Sequence, residues 1–254
     1  MAARSPFDLT GRAALVTGAN TGIGQGIALA LAQAGASVVA AGRSDMSETL
    51  ALIAEAGGSG HALHADLQQN GIAERLIAEA AELAGPLDIL VNNAGIIRRA
   101  DALDFSESDW DEVMNVNLKA SFFLAQAFAK AALKAGRTGR IVNIASLLSF
   151  QGGIRVASYT ASKSGLAGLT RLLACEWAAK GINVNAIAPG YIESNNTAAL
   201  RENPDRSSAI LARIPAGRWG KPSDIGGAAV FLASDAAAYM HGAVIPVDGG
   251  WLAR

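Results

Sequence analysis

Three side chains in the middle of the sequence have the types and spacing needed for proton transfer. Tyr159 and Lys163 stand four residues apart in a predicted helix, so they share one face of it. A phenol has a pKa of about 10, and a neighbouring ammonium group favours the phenolate. Ser146 ends a predicted strand and can donate to an oxygen that gains negative charge. Tyr-Lys pairs also occur on helix surfaces and serines also cap strand ends, but the three together favour a catalytic site.

A glycine-rich turn, TGANTGIG at 17–24, separates the first predicted strand from the first predicted helix. Gly18, Gly22 and Gly24 have no Cβ, which permits a tight turn and the close approach of a phosphate. The helix N-terminus adds unpaired N–H groups and a positive dipole end. Glycines are common between strand and helix in any α/β protein, but this placement favours a dinucleotide site.

The remaining sequence predicts the scaffold that positions these residues. Short apolar segments alternate with amphipathic ones, and hairpin signals are few. The predicted strands are 12–18, 37–41, 60–66, 88–93, 140–146, 182–189 and 243–248. The predicted helices are 22–34, 44–56, 72–83, 108–135, 158–180 and 223–233. This alternation predicts one α/β domain over 1–254, a doubly wound parallel sheet of seven strands with helices on both faces.

The composition excludes several classes of function. Hydrophobic residues make up 51% of the chain and charged residues 17%, which excludes a disordered protein. A net charge of −1 gives no basic excess, so we expect no nucleic-acid partner. One cysteine, Cys175, and three scattered histidines cannot build an internal disulfide or a zinc site, and we expect Cys175 to pack in the core. No signal peptide or membrane span is evident, so we expect a soluble, cytoplasmic protein with no metal and no membrane partner.

Further motifs resemble the short-chain dehydrogenase/reductase family over essentially the whole chain. The turn has the spacing TGxxxGxG, NNAG follows at 92–95, and Pro189-Gly190 ends the sixth predicted strand. The resemblance implies a Rossmann fold and a catalytic set of Asn117, Ser146, Tyr159 and Lys163. It also implies that Lys163 holds the nicotinamide ribose and that Asn117 anchors a water in a proton relay.

The turn and the resemblance together imply a contact surface for NAD or NADP. Asp66 and Leu67 match the pair that contacts the adenine, although an aspartate there could also cap the next helix. The expected cofactor contacts are Gly18, Asn20, Thr21, Gly22, Ile23, Gly24, Arg43, Asp66, Leu67, Asn93, Ala94, Gly95, Tyr159, Lys163, Pro189, Gly190, Ile192 and Ser194.

The choice between the two cofactors depends on the end of the second strand. A carboxylate there would bind the ribose diol and repel a 2′-phosphate. This chain has Gly42-Arg43, with no acid before Asp45. Arg43 could pair with a 2′-phosphate or stack on the adenine. The local residues permit NADP, whereas the resemblance favours NAD, so both stay open.

Loop segments are similar to a sugar-acid subgroup, the 2-dehydro-3-deoxy-D-gluconate 5-dehydrogenases, also named 2-deoxy-D-gluconate 3-dehydrogenases. The matching segments are 92–99, 143–159, 186–197, 213–220 and 247–254. The resemblance implies oxidation or reduction between a secondary hydroxyl and a ketone on a hexonate. Gluconate 5-dehydrogenase and a 3-oxoacyl thioester reductase are the alternatives. A nucleotide sensor without catalysis is a third, which the intact catalytic set argues against.

A hexonate needs a cation for its carboxylate and polar groups for its hydroxyls. Such residues follow the fourth and fifth predicted strands, at the edge where open sheets bind ligands. The expected substrate contacts are Arg98, Arg99, Ser146, Gln151, Arg155 and Tyr159. Some of these arginines could instead serve subunit contacts or the solvated surface.

Two further expectations concern assembly and access. The predicted helices 108–135 and 158–180 carry more Ala, Leu and Phe than one sheet face can absorb, which favours a homo-oligomer. The family resemblance, in which these helices commonly pair, implies a homotetramer. The apolar C-terminus is expected to join a second interface. The segment 191–220 is expected to form a lid over the substrate.

Overall fold

The computed structural model describes residues 5–254 as seven strands and nine α-helices with short 3₁₀ turns between them. The strands are β1 (Ala13–Thr17), β2 (Ser37–Gly42), β3 (Ser59–His64), β4 (Ile89–Asn92), β5 (Gly139–Ile144), β6 (Ile182–Pro189) and β7 (Val244–Val247). The helices are α1 (Gly22–Gln33), α2 (Ser47–Glu55), α3 (Ile72–Ala84), α4 (Glu107–Met114), α5 (Ala120–Lys134), α6 (Ala157–Trp177), α7 (Ala198–Arg201), α8 (Pro204–Arg213) and α9 (Pro222–Ala233).

All strands run parallel in one sheet with the order β3-β2-β1-β4-β5-β6-β7. The strand order reverses between β1 and β4, so the crossovers on either side diverge and leave a crevice at the carboxyl ends of these two strands. The predicted doubly wound α/β fold is confirmed.

Helices cover the sheet on both faces, and the strands alternate their side chains between two cores. On β1, Ala14 and Val16 face the layer that contains α1 and α9. Ala13 and Leu15 face the opposite layer, with α3, α5 and α6. All five residues of β1 are buried, as expected of a central strand covered on both faces.

One predicted helix is interrupted in the structure. The segment 108–135 divides into α4 and α5, which are joined by a π-helical turn, Asn115–Lys119. Helical periodicity alone does not reveal a turn that is widened by one residue. Such turns are frequent at functional sites, and this one contains Asn117.

The prediction that Cys175 packs in the core is wrong, because its side chain is exposed. Leu173 and Ala174 are buried on the inner face of α6. A helix rotates by about 100° per residue, so the next position leaves that face. Within residues 5–254, no helix is both long enough and apolar enough to cross a membrane.

Candidate active site

A cleft of about 390 Å³ opens at the carboxyl ends of β1, β4, β5 and β6. The glycine turn, the residues after β2 and β4, and the first part of the segment 191–220 form its walls. All of the expected cofactor contacts line this cleft: Gly18, Asn20, Thr21, Gly22, Ile23, Gly24, Arg43, Asp66, Leu67, Asn93, Ala94, Gly95, Tyr159, Lys163, Pro189, Gly190, Ile192 and Ser194.

The glycine turn leaves no room for larger side chains. Gly18 has φ +65°, and a Cβ there would lie 2.9 Å from the Cα of Ala94. A Cβ on Gly24 would lie 2.1 Å from the Gly18 carbonyl oxygen. Thr21 precedes α1 without a side-chain capping bond, so the first N–H groups of the helix stay available to a ligand. This cradle fits the pyrophosphate of a dinucleotide.

Asn93 and Thr17 hold the turn against the end of β4. The Asn93 amide donates to the carbonyl oxygens of Thr17 (2.9 Å) and Gly18 (3.0 Å). The Thr17 hydroxyl accepts from the backbone N–H groups of Asn93 and Ala94, both at 3.1 Å, and donates to the Val91 carbonyl. The two strands at the reversal point are therefore tied together by side chains as well as by the sheet.

Ser146, Tyr159 and Lys163 meet at the inner end of the cleft. The Lys163 ammonium lies 5.6 Å from the centre of the Tyr159 ring and donates to the Ile144 carbonyl at 2.6 Å. Only 4% of Lys163 is exposed. Ser146 accepts a backbone N–H from Leu148 at 3.2 Å, so its hydroxyl proton remains free for another acceptor.

Burial shifts the pKa values of both Lys163 and Tyr159 toward their neutral forms. It lowers the pKa of Lys163 from 10.5 to about 8. The pKa of Tyr159 is raised, mainly because burial disfavours the phenolate. A hydrogen bond with Ser146 and the positive charge of Arg99 oppose that rise. In the protein alone, therefore, the low-dielectric site favours the neutral phenol.

Asn117 is buried behind this group and does not line the cleft. Its side-chain oxygen accepts the Ile96 N–H at 2.8 Å, and its amide donates to the Ile96 carbonyl at 2.9 Å. The amide also donates to Ser162, whose hydroxyl donates to the Tyr159 carbonyl. Asn117 thus joins the segment after β4 to the helix that carries Tyr159.

The outer end of the cleft carries a cation and no carboxylate at the end of β2. Arg43 is exposed at the cleft and makes no hydrogen bond or ion pair within residues 5–254. The Asp45 carboxylate accepts both the N–H and the hydroxyl of Ser47, which lowers the pKa of Asp45. Asp66 caps its own turn by accepting the Gln68 N–H at 3.1 Å.

The three candidate arginines of the substrate region have different partners. Arg98 forms ion pairs with Asp109 (3.4 Å) and Glu112 (2.7 Å). Arg155, whose φ is +64°, pairs with Asp101 at 3.3 Å. Arg99 has no carboxylate partner in the described part of the chain.

Arg99 instead reaches across to the segment 191–220, where it donates to the Asn196 carbonyl at 2.9 Å. Asn196 belongs to a 3₁₀ turn, Asn195–Thr197, that lines the cleft. Sequence reasoning missed this turn, and a Ser-x-x-Thr capping box over 194–197 was the available signal. Sequence reasoning also missed Trp251, whose indole N–H donates to the Gln151 side-chain oxygen at 3.2 Å.

A parallel sheet that places a glycine cradle beside a Ser–Tyr–Lys group defines a nucleotide-dependent oxidoreductase of the short-chain type. The sequence model of the family described as enoyl-(acyl carrier protein) reductase matches residues 18–252, and the chain belongs to this family, within the short-chain dehydrogenases/reductases. The family resemblance expected from the motifs is confirmed.

Individual relatives are similar over nearly the full length. The 2-dehydro-3-deoxy-D-gluconate 5-dehydrogenase of Escherichia coli (strain K12) is 58% identical over 251 residues, 98% of this chain and 99% of that protein. A crystal structure of a candidate 2-deoxy-D-gluconate 3-dehydrogenase from Agrobacterium tumefaciens, with bound NADP, is 66% identical with a TM-score of 0.95, covering 99% of this chain and 100% of that one.

A second crystal structure comes from Beutenbergia cavernae, a candidate NAD(P)-dependent gluconate 5-dehydrogenase with NADP bound at low occupancy. It is 55% identical with a TM-score of 0.94 and covers 98% of this chain and 100% of that one.

Proposed function

We propose that this chain is an NAD(P)-dependent dehydrogenase that interconverts a secondary hydroxyl and a ketone on a deoxy or keto hexonate, of the 2-dehydro-3-deoxy-D-gluconate 5-dehydrogenase type. The observation that carries the proposal is a dinucleotide-sized cleft ending at Ser146, Tyr159 and Lys163. The 58% identity to a relative of that name supports the substrate class.

The cleft has the groups that a dinucleotide requires. The cradle around Gly18 and the N-terminus of α1 suits the pyrophosphate, and Asp66 and Leu67 lie toward the adenine end. At the inner end, Tyr159, Lys163, Pro189 and the neighbouring Gly190 suit the nicotinamide riboside. When bound, NAD(P) accepts or donates the hydride.

In our proposal, Tyr159 transfers the proton. During oxidation the phenolate accepts the hydroxyl proton of the substrate, and during reduction the phenol returns it. Ser146 donates to the reacting oxygen as negative charge develops there. The hydrogen bond from Ser146 and the positive charge of Arg99 favour the phenolate and oppose the burial that raises the pKa of Tyr159. Asn117 supports this group through Ile96 and Ser162.

Arg99 is our choice for the substrate carboxylate. Arg98 and Arg155 are engaged by carboxylates of the chain itself. Within residues 5–254, Arg99 makes a single hydrogen bond, to a backbone carbonyl, and its charge lies close enough to Tyr159 to lower the pKa of that phenol. A carboxylate that binds Arg99 therefore stands near the reacting group. Gln151 is the candidate for a substrate hydroxyl or carbonyl.

The lid is a further part of the proposal. Its two ends are joined by backbone bonds, Gly220 N–H to the Tyr191 carbonyl (2.9 Å) and Glu193 N–H to the Gly220 carbonyl (2.8 Å). The segment between them contains α7 and α8 and contributes Asn195–Thr197 to the cleft. A segment anchored at both ends and touching the cleft is suited to covering a bound substrate.

We also propose a homotetramer in the cytoplasm. Phe123 on α5 and Leu172 on α6 are 44% and 47% exposed, so these helices leave apolar surface for a second subunit. Trp251 is buried against its own chain, whereas Gly249, Ala253 and Arg254 are exposed and available for a second interface. Light scattering at micromolar concentration tests the assembly, and a monomeric mass contradicts it.

The deciding experiment follows cofactor absorbance with 2-dehydro-3-deoxy-D-gluconate, 2-deoxy-D-gluconate, gluconate and a 3-oxoacyl thioester, each with NAD(H) and NADP(H). We expect the highest kcat/KM on a deoxy or keto hexonate. Preference for gluconate would favour the second candidate, which the 55% identity to the Beutenbergia protein supports. Turnover of the thioester alone, or of nothing in the panel, would contradict the proposal.

A further inference from the structure

The C-terminal turn packs beneath the lid and against the loop that carries Ser146. After β7, the Asp248 carboxylate accepts the backbone N–H groups of Gly250 (2.8 Å) and Leu252 (2.9 Å). Gly250 adopts φ +87°, and a 3₁₀ turn, Trp251–Ala253, follows. These contacts fix the direction of Trp251, which is 4% exposed.

The Trp251 indole contacts three separate parts of the chain. The guanidinium of Arg213, at the end of α8, lies 4.1 Å from its ring centre. Tyr191, where the lid begins, lies 4.6 Å away between ring centres. The indole N–H donates to the Gln151 side-chain oxygen. Leu147, next to Ser146, packs in the same apolar cluster.

The hydrogen bond determines which end of the Gln151 amide is free. An indole N–H can only donate, so the atom facing it must be the amide oxygen. The amide nitrogen of Gln151 has no hydrogen-bond partner within residues 5–254. Gln151 therefore offers free amide N–H donors, while the indole N–H occupies one of the two lone pairs of its oxygen.

We propose that Trp251 is a positioning residue that orients Gln151, so that this glutamine donates to an acceptor oxygen of the hexonate. The inference rests on the proposed function, because the acceptor is a carboxylate, hydroxyl or carbonyl oxygen of that substrate. Trp251 itself contacts no substrate. It sets the direction of a side chain that does, and it joins that side chain to the lid through Arg213 and Tyr191.

Steady-state kinetics of Trp251→Phe tests the orientation. Phenylalanine keeps a ring under Arg213 and Tyr191 but loses the N–H group. Loss of one neutral hydrogen bond corresponds to about three- to tenfold. We expect KM for the hexonate to rise by about that factor, with kcat, the melting temperature and the Kd for NADP(H) close to wild type.

Trp219→Phe is the matched control. Trp219 lies in the same cluster with its ring perpendicular to that of Tyr191, and its indole N–H makes no hydrogen bond to residues 5–254. Its replacement removes an N–H from the cluster without affecting Gln151. We expect a KM near that of wild type.

Gln151→Met and the double variant complete the test. Methionine cannot donate, so Gln151→Met should raise KM by a similar factor, and adding Trp251→Phe should raise it no further. If the double variant raised KM by the product of the two single effects, the inference would be wrong. An unchanged KM in Trp251→Phe would also overturn it. If wild-type protein turns over no hexonate, the proposed function fails. If wild type turns over a hexonate and Trp251→Phe has the same KM as wild type, only the proposed role of Trp251 fails.

Discussion

The nucleotide side of the cleft and the proposed substrate rim are built by different means. The nucleotide side, formed by the glycine turn and the ends of β2 and β4, presents mainly backbone, with Gly18 at φ +65° and the first N–H groups of α1 uncapped. The proposed substrate rim, Arg98, Arg99, Gln151 and Arg155, lies outside the residues that line the cleft and presents long side chains from loops. A backbone cradle needs particular residues at fixed spacing, whereas a side-chain rim can be built in many ways.

The difference implies that the proposed substrate rim can vary more easily than the nucleotide side. On the nucleotide side, a Cβ at Gly24 would meet a carbonyl oxygen at 2.1 Å, so variation there is costly. On the rim, ion pairs decide which arginine is available. A new carboxylate beside Arg99, or the loss of Glu112 beside Arg98, would change the available cation without altering the fold.

The largest effect on activity should come from Tyr159, in the group that lies between the nucleotide side and the proposed substrate rim. Tyr159→Phe removes only the phenolic oxygen, so the ring still packs while proton transfer loses its acid and base. We expect kcat to fall by about 10²- to 10⁴-fold, with the Kd for NADP(H) and the melting temperature maintained. The measurement is steady-state turnover together with cofactor titration.

Tyr191→Phe is the control for this prediction. Tyr191 lies in the aromatic cluster under the lid, its hydroxyl has no hydrogen-bond partner within residues 5–254, and its ring is retained in the variant. Its activity should stay close to wild type. If Tyr159→Phe kept more than half of the wild-type rate, the assignment of the acid and base would be wrong.

A second prediction uses the burial of Lys163, which lowers its pKa from 10.5 to about 8. Between these values the folded protein holds a neutral amine while the unfolded chain still binds the proton, so stability rises with pH. From about pH 7 to about pH 9.5 this corresponds to about 2 kcal/mol.

Urea unfolding of cofactor-free wild type and Lys163→Met at both pH values measures this effect. Methionine does not titrate, so the variant should lack this part of the rise. Parallel stability curves for the two proteins would show that Lys163 keeps its ordinary pKa in the folded state.

The fold and the nucleotide side could be predicted from the sequence because their signals are local. Alternating apolar segments give the strands, and the glycine spacing gives the turn. The substrate rim could not be resolved in this way. The partners of Arg98 lie 11 and 14 positions away on α4, and Asn196 lies 97 positions from Arg99. Which arginine remains unpaired depends on tertiary contacts. Periodicity also does not mark the π-helical turn around Asn117.

The third prediction tests the rim directly. Arg99→Ala should raise KM for the hexonate by about ten- to a hundredfold, the range of a charge-assisted contact. It should also move the ascending limb of the pH profile for hydroxyl oxidation to higher pH, because the lost positive charge had lowered the pKa of Tyr159. Arg98→Ala is the control and should alter KM little. If Arg98→Ala had the larger effect on KM, the assignment would be reversed.

The smallest expected effect tests the nucleotide side at Arg43, whose side chain we expect to influence the choice between NAD(H) and NADP(H). Its guanidinium is exposed and has no partner within residues 5–254, and no carboxylate ends β2 to repel a 2′-phosphate. If Arg43 reads that phosphate, Arg43→Ala should weaken NADP(H) by about tenfold, less than a buried contact because solvent screens the charge. NAD(H) should bind as before.

If Arg43 stacks on the adenine, both cofactors should bind more weakly in the variant to the same extent, since they share the base. Measuring the two dissociation constants in wild type and variant, at low and high salt, separates these cases. Only phosphate recognition predicts a loss that is confined to NADP(H) and shrinks as salt is added. An equal loss for both cofactors would reject phosphate recognition and leave the dehydrogenase assignment intact, because the cradle around Gly18 binds what the two cofactors have in common.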